Sequence, residues 1–283
     1  MNKPQLDPAE IPAADHGVTS ELELQEWSKG KTQTVTDQLI EETAVALVYN
    51  GISHVVMMAT PSNLEAFALG FSLSEGILDQ PEQLYDLNVV HREQGIEIAM
   101  QISPECFARL KQKRRNMTGR TGCGLCGSES LEQVTRQPEP LVASPTYQHQ
   151  AIENAVRRLE SQQPLQQITG AVHGAALCSN TGDIQILCED IGRHNALDKV
   201  YGEACNSADL KDKQKRADCF VLISSRASYE LVIKAAAMGV GMLVAVSAPT
   251  RLAVQLAEQA NIILVGFARD GRHVVYTYAD RIS

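Results

Sequence analysis

The stretch F-V-L-I-S-S-R-A-S-Y-E-L-V-I-K-A-A-A-M-G-V-G-M-L-V-A-V-S-A-P-T, from Phe220 to Thr250, decides the fold. Phe220-Val221-Leu222-Ile223 is an apolar run too short for a helix and stopped by two serines, which reads as a buried strand. Ser228 to Met238 reads as a helix, and Met242 to Val246 repeats the strand. The same alternation continues in both directions. Upstream lie a helix over Ala151 to Glu160 and strands over Ala171 to Leu177 and Ile184 to Leu187; Gly192 then leads into a helix beginning near His194. Downstream come a helix over Arg251 to Gln259 and a hairpin, Ile262 to Phe267 and His273 to Tyr278, turning at Asp270-Gly271. Helices alternating with apolar runs predict a three-layer α/β sheet.

The first half reads as a smaller α/β segment. Ala44 to Tyr49 and Ile52 to Met58 flank Asn50-Gly51, a hairpin signature. A helix follows over Leu64 to Ile77, with Ser62 as its cap, then strands at Val89-Val90 and Ile96 to Ile102, then a helix over residues 104–116. Residues 1–36 are polar without sustained periodicity and read as a mobile tail. The organisation expected is therefore a tail over 1–36, an N-terminal α/β subdomain over 37–117, a glycine-rich mobile loop over 118–134 and a larger α/β domain over 135–283.

Bulk composition narrows the function. A net charge of −9 argues against a general nucleic-acid binder and gives no support for docking on an anionic membrane. No apolar run is long enough for a membrane span, and the polar N-terminus lacks the basic start and apolar core of a signal peptide, so the expected location is the cytoplasm. Seven cysteines, an odd number, do not make a secreted disulfide framework. Cys178, Cys188, Cys205 and Cys219 sit in apolar or small-residue surroundings and read as ordinary buried thiols; Cys106 has no evident partner.

Cys123 and Cys126 differ in kind. They lie in G-R-T-G-C-G-L-C-G, Gly119 to Gly127, with four glycines around them. Structural zinc and iron–sulfur sites call for further ligands nearby, and the next cysteine is Cys178. A flexible backbone with no partner ligands favours a reactive, reachable thiol. Lys113, Arg114, Arg115 and Arg120 can hold Cys123 as a thiolate, receive an anionic partner, or simply complement a helix dipole.

Three further constellations suit phosphates. Glu189-Asp190-Ile191-Gly192-Arg193-His194-Asn195-Ala196-Leu197-Asp198-Lys199 places His194 and Asn195 in a first helical turn, whose free N–H groups attract anions; helix capping with i,i+4 pairing of His194 and Asp198 is the competing explanation. Ser224-Ser225-Arg226-Ala227-Ser228 and Ser247-Ala248-Pro249-Thr250 each follow a strand, where open α/β sheets form their ligand crevice; capping alone also accounts for serines there. Phe267-Ala268-Arg269-Asp270-Gly271-Arg272 joins two strands, and Phe267 with Arg269 and Arg272 can stack on a base and pair with phosphates. Zinc deamination is excluded, because His173-Gly174-Ala175 lacks the glutamate of H-x-E and no P-C-x-x-C follows.

Together these stretches resemble the FdhD family of formate dehydrogenase accessory sulfur carriers. The resemblance runs from the Ala46 to Gly51 hairpin through T-G-C-G-x-C-G at Thr121, E-D-I-G-R-H-N-A-L-D-K at Glu189, S-S-R-A-S-Y-E at Ser224 and G-F-x-x-x-G-R at Gly266. One departure is Gly174, where the family's T-G-x-x-H-A-A-A element has alanine. The resemblance implies a cytidine-deaminase-like sheet without zinc or any other metal ion of its own, and a homodimer. It implies a persulfide on Cys123 made with a cysteine desulfurase, with Cys126 as its partner thiol. It also implies sulfur delivery to the molybdenum bis(molybdopterin guanine dinucleotide) cofactor for formate dehydrogenase, with Phe267 to Arg272 contacting the guanine dinucleotide. Ser225, Arg226 and His194 are the remaining candidate contacts to that acceptor. Three rivals make different demands: a cofactor-binding chaperone needs neither cysteine, a dithiol–disulfide oxidoreductase needs both but binds no nucleotide, and a small zinc-binding interaction domain carries stoichiometric metal.

Overall fold

The computed structural model describes residues 17–118, 138–142 and 146–283. Cys123, Cys126 and Arg120 lie outside the described residues, as do the side chains of Lys113, Arg114 and Arg115. The expected tail is a correction over its second half. Strands β1 (Thr19–Ser28) and β2 (Lys31–Ile40) pair antiparallel around Lys29 and Gly30, both at positive φ. Their alternation carries only a thin apolar stripe, Leu22, Leu24, Val35 and Leu39 on one face, against Glu21 and Glu23 on the other. Leu22 and Leu39 remain exposed, so polarity hid a ribbon that backbone pairing makes.

Next come β3 (Thr43–Tyr49) and β4 (Ile52–Ala59), joined at Asn50 and Gly51, whose positive φ values are those of a tight hairpin turn. Helix α1 (Leu64–Ser74) crosses to β5 (Leu84–Arg92) and β6 (Gly95–Ile102), giving a sheet in the order β4-β3-β6-β5 with β3 parallel to β6. The residue preceding α1 is Asn63, at φ 50 and making no side-chain cap bond, rather than Ser62. Helix α2 (Pro104–Thr118) closes this half.

The second half contains α3 (His149–Ser161), α4 (Pro164–Thr169), β7 (His173–Cys178), β8 (Ile184–Asp190), α5 (Arg193–Asn206), α6 (Lys213–Arg216), β9 (Phe220–Ile223), α7 (Tyr229–Met238), β10 (Met242–Ala245), α8 (Arg251–Gln259), β11 (Ile263–Arg269) and β12 (Arg272–Val275). The strands form one sheet in the order β12-β11-β10-β9-β7-β8, with β9, β10 and β11 parallel to one another. Alternate residues of each short strand face opposite layers. Leu177, Val221, Ile223, Leu243, Ala245 and Leu264 pack toward α5, α7 and α8, while Cys178, Phe220, Leu222, Met242, Val244 and Val265 pack toward Tyr147 and α3. Runs buried on both faces are why these segments read as apolar throughout.

The two halves share one core. Val45, Leu47, Phe67 and Ile98 belong to the same buried cluster as Leu197, Val200, Leu231 and Leu243. Helices α1 and α5 make the junction through reciprocal small residues. A Cβ on Gly70 would sit 1.8 Å from Asp198 O, and one on Gly202 would sit 1.9 Å from Ala66 O. Only hydrogen fits at either place. Among the described residues no helix is long and apolar enough to cross a membrane.

Candidate functional site

Because β9, β10 and β11 run parallel, the segments that follow them emerge at one sheet edge, and antiparallel β7 begins there beside the end of β8. That edge gathers His173, Asp190 to His194, Ser224 to Ser228, Ser247 to Thr250 and Phe267 to Arg272. Backbone bonds lace the segments together: Ala227 N to Ala248 O at 3.2 Å, Thr250 N to Ala227 O at 3.0 Å and Phe267 N to Ser247 O at 3.1 Å. Gly174 N donates to Ser224 Oγ at 2.9 Å.

Within the acidic motif most side chains build the scaffold. Glu189 accepts from Leu165 N at 2.9 Å and Gln166 N at 2.8 Å, satisfying free N–H groups at the start of α4. Asp190 and Lys199 are fully buried and 2.7 Å apart. Asp190 also accepts from Gly192 N, Asn195 Nδ2 and Thr60 N at 2.7, 2.9 and 3.0 Å. Lys199 donates to Thr60 O at 3.0 Å and Asn195 to Met58 O at 2.8 Å, so the motif clamps the end of β4. Such a pair is tolerated in the interior because each remaining polar atom is satisfied. The i,i+4 contact between His194 and Asp198 does not form. Asp198 turns to Lys234 Nζ at 2.8 Å and Ser74 Oγ at 2.7 Å, where unlike charge is buried with it. Burial pulls the Lys234 ammonium down, but Asp198 and Glu75 more than offset this and hold it above its ordinary value.

His194 and His173 are left at the surface of the clamp. His194 Nε2 lies 2.7 Å from Glu230 Oε2 and 3.4 Å from Ser228 Oγ. Burial lowers the His194 imidazole, opposed by Glu230 and reinforced by Arg193 and Lys234. Burial also lowers His173, with Arg193 acting the same way and Asp190 against it. Two neutral imidazoles therefore flank Arg193 at neutral pH, one donating its Nε2 hydrogen to Glu230. Ser225 is buried and its hydroxyl donates to Arg226 O at 3.1 Å, so its side chain turns into its own loop, whereas Arg226 is exposed.

The last hairpin carries strain where a ligand contact was expected. Phe267 is exposed at φ 51, in a bulge that shifts the β11–β12 register between Gly266 and Arg269. A bulky residue held there costs about 1–3 kcal/mol and persists only when its surroundings enforce it. Gly266 enforces it: a Cβ would stand 2.7 Å from Pro249 Cδ, so β11 presses against the preceding loop. Ala268 is buried, while Arg269 and Arg272 face solvent. Asp270 pairs with Arg157 on α3 at 2.6 Å.

Thr60 and Lys234 gave no signal in sequence, and Glu230, the last residue of S-S-R-A-S-Y-E, gave none of its pairing with His194. Thr60, Glu230 and Lys234 acquire their partners from distant segments. Gly174 is explained by Gln163, whose Nε2 would lie 2.4 Å from an alanine methyl there, so the amide fills the space of the missing methyl. Cys106, Cys178, Cys188, Cys205 and Cys219 are all buried and free, and burial raises Cys205 and Cys219 to about 11. Raised in this way, Cys205 and Cys219 are inert thiols. A groove of about 440 Å³ beside β8, lined by Asn63, Gln185, Leu187 and Glu203, includes none of the candidate residues.

A family model described as the FdhD/NarQ family matches residues 40–283. A curated relative from Cupriavidus necator, named sulfur carrier protein FdhD, is 49% identical over 283 residues, all of this chain and 96% of the relative. A crystal structure from Desulfotalea psychrophila, described provisionally as a formate dehydrogenase accessory protein, superposes with a TM-score of 0.71 at 23% identity, covering 94% of this chain and 100% of that one. That likeness speaks to the fold, a mixed α/β arrangement.

Proposed function

This chain belongs to the FdhD/NarQ family, and on that premise we propose that it is a sulfur carrier for formate dehydrogenase. In this reading the Cys123 thiolate attacks the outer sulfur of a cysteine desulfurase persulfide. A sulfur–sulfur bond forms on Cys123, the donor's bond breaks, and the donor leaves as a thiolate, so no net oxidation occurs. Cys126 stands three residues away as a second thiol to promote release or take the sulfur back. The acceptor is the molybdenum bis(molybdopterin guanine dinucleotide) cofactor, as cargo on its way to formate dehydrogenase.

The observation that carries the proposal is the convergence of Arg226, Phe267, Arg269 and Arg272 on one sheet edge, in a chain that also bears the glycine-wrapped C-x-x-C. Exposed guanidinium groups suit the pyrophosphates of a dinucleotide, and a strained, exposed phenyl ring suits stacking on a base. Neutral His173, acted on by Arg193, can hold a further ligand oxygen, while the N–H of His194 is committed to Glu230. The sheet order, with β7 and β8 antiparallel beside three parallel strands, supports the cytidine-deaminase-like reading. A homodimer acting in the cytoplasm completes the proposal.

Intact-mass spectrometry after incubation with a desulfurase and cysteine tests it. The expected result is a gain of about one sulfur mass, discharged by added thiol and absent in Cys123→Ala. Full formate dehydrogenase activity supported by Cys123→Ala refutes it. Nucleotide binding without any sulfur gain assigns the chain to the chaperone reading instead.

A further inference from the structure

The hairpin that carries Phe267, Arg269 and Arg272 is poorly supported by its own sheet. Its outer strand, β12, is the edge strand and among the described residues pairs with β11 alone, through the bulge at Phe267. What braces it is helix α3, anchored in the core by Ala151, Ile152, Ala155 and Leu159. Besides the shared core, in which Val265 and Ala268 of β11 are buried with α3, two polar side-chain contacts join them. At the tip, Arg157 Nε meets Asp270 Oδ1 at 2.6 Å, but these side chains are 54% and 72% exposed, and salt screens such a pair. At the base, immediately after Arg272, His273 Nε2 lies 2.7 Å from His149 Nδ1, with ring centroids 4.8 Å apart and planes inclined by 35°.

We infer that His149 and His273 are positioning residues that mount the Phe267–Arg272 hairpin on α3, and that nucleotide binding by the hairpin is acid-sensitive through this contact. The inference rests on the guanine-dinucleotide reading above. Two imidazole nitrogens at 2.7 Å share a single hydrogen, one ring donating and the other accepting through its lone pair. One added proton is tolerated, because an imidazolium can still donate. Two are not, because both nitrogens then carry hydrogen and both rings carry charge.

Of the charged groups around the pair, Glu153 of α3 acts on His273 and is itself paired with Arg157, and His149 N donates to the O of Ser283, the last residue, at 3.0 Å. Burial lowers the His273 imidazole, and His149 lowers it further, with Glu153 pulling the other way. The lowered His273 imidazole resists the second proton while the contact holds, and acid strong enough to add it breaks the contact. Nothing in the sulfur chemistry uses either ring.

The test is calorimetric binding of GDP-mannose, whose pyrophosphate diester keeps a constant charge between about pH 5 and 8. Wild type is compared with His149→Gln/His273→Gln, whose amides can keep an uncharged hydrogen bond. We expect wild-type affinity to fall about three- to tenfold between pH 7.5 and 5.5, the worth of one hydrogen bond, and the glutamine variant to bind with a flat profile. An equal fall in both proteins overturns the inference, as does unchanged wild-type affinity. Absence of any wild-type binding at pH 7.5 overturns the nucleotide reading of the hairpin itself. Single His149→Gln, at an exposed helix start, supplies the comparison if the double variant does not fold.

Discussion

Replacing Gly202 by alanine turns a usually favourable change into a damaging one. At an open position in a helix, glycine to alanine stabilises by about 0.5–1 kcal/mol, through lost backbone freedom in the unfolded chain. In α5 the new methyl would lie 1.9 Å from Ala66 O and 2.5 Å from Ala66 C, both backbone atoms of α1. Carbon–oxygen contacts settle near about 3.3 Å, so the helices must part by roughly 1.4 Å. No rotamer relieves this, because the obstructing atoms are main chain. Overpacking of this kind costs about 1–3 kcal/mol, and a clash with backbone belongs at the upper end. The net expectation is a loss of about 2 kcal/mol after the propensity gain is subtracted. Urea denaturation measures it as a lower midpoint with an unchanged slope. Gly70→Ala, which meets Asp198 O at 1.8 Å, should behave alike, and the double variant should lose less than the sum, since helices already parted admit the second methyl. A midpoint raised by Gly202→Ala would refute the reasoning outright.

Lys199→Met strands Asp190 as an unpaired buried charge and should cost about 3–5 kcal/mol, with part of the loss recovered in Lys199→Met/Asp190→Asn; thermal unfolding of the three proteins decides. His173 and His194 are both lowered in the folded chain, so the unfolded chain binds more protons below about pH 6.5. Stability should therefore drop as pH falls from 7.5 to 5.5, and the drop should shrink in His194→Asn; a pH-independent urea midpoint in wild type contradicts this. Phe267→Gly relieves the left-handed backbone and should raise or preserve stability while weakening guanine-nucleotide binding, and a stability loss above about 1 kcal/mol would remove the strain argument.

Local pattern determined the layers. Phe220 to Ile223 and Met242 to Val246 are apolar throughout because strands buried on both faces leave no polar alternation, and the structure places β9 and β10 there. Asn50-Gly51 and Asp270-Gly271 marked their turns for an equally local reason, the steric freedom of left-handed backbone. The edge that holds the candidate site was also legible, since the segments following successive strands must emerge together once the strands are parallel. The ribbon over residues 19–40 was not, because its composition is that of a solvated tail and only the pairing of two chain segments tells them apart.

What the sequence could not divide was the motif from Glu189 to Lys199. Its polar residues look alike in a row, yet Asp190 and Lys199 are sealed against Thr60, Asp198 is joined to Lys234, and His194 alone with Arg193 and nearby His173 stands at the edge. Thr60 and Asp190 are 130 residues apart in the chain. Hydrophobic period and turn chemistry act over a few residues and can be read in order. Whether a carboxylate holds the scaffold or meets a ligand depends on which distant groups the fold delivers to it, and whether burial then forbids water. Sequence alone determined the sheet, its turns and the chemistry offered at its edge; only tertiary packing decided which side chains remain free to use it.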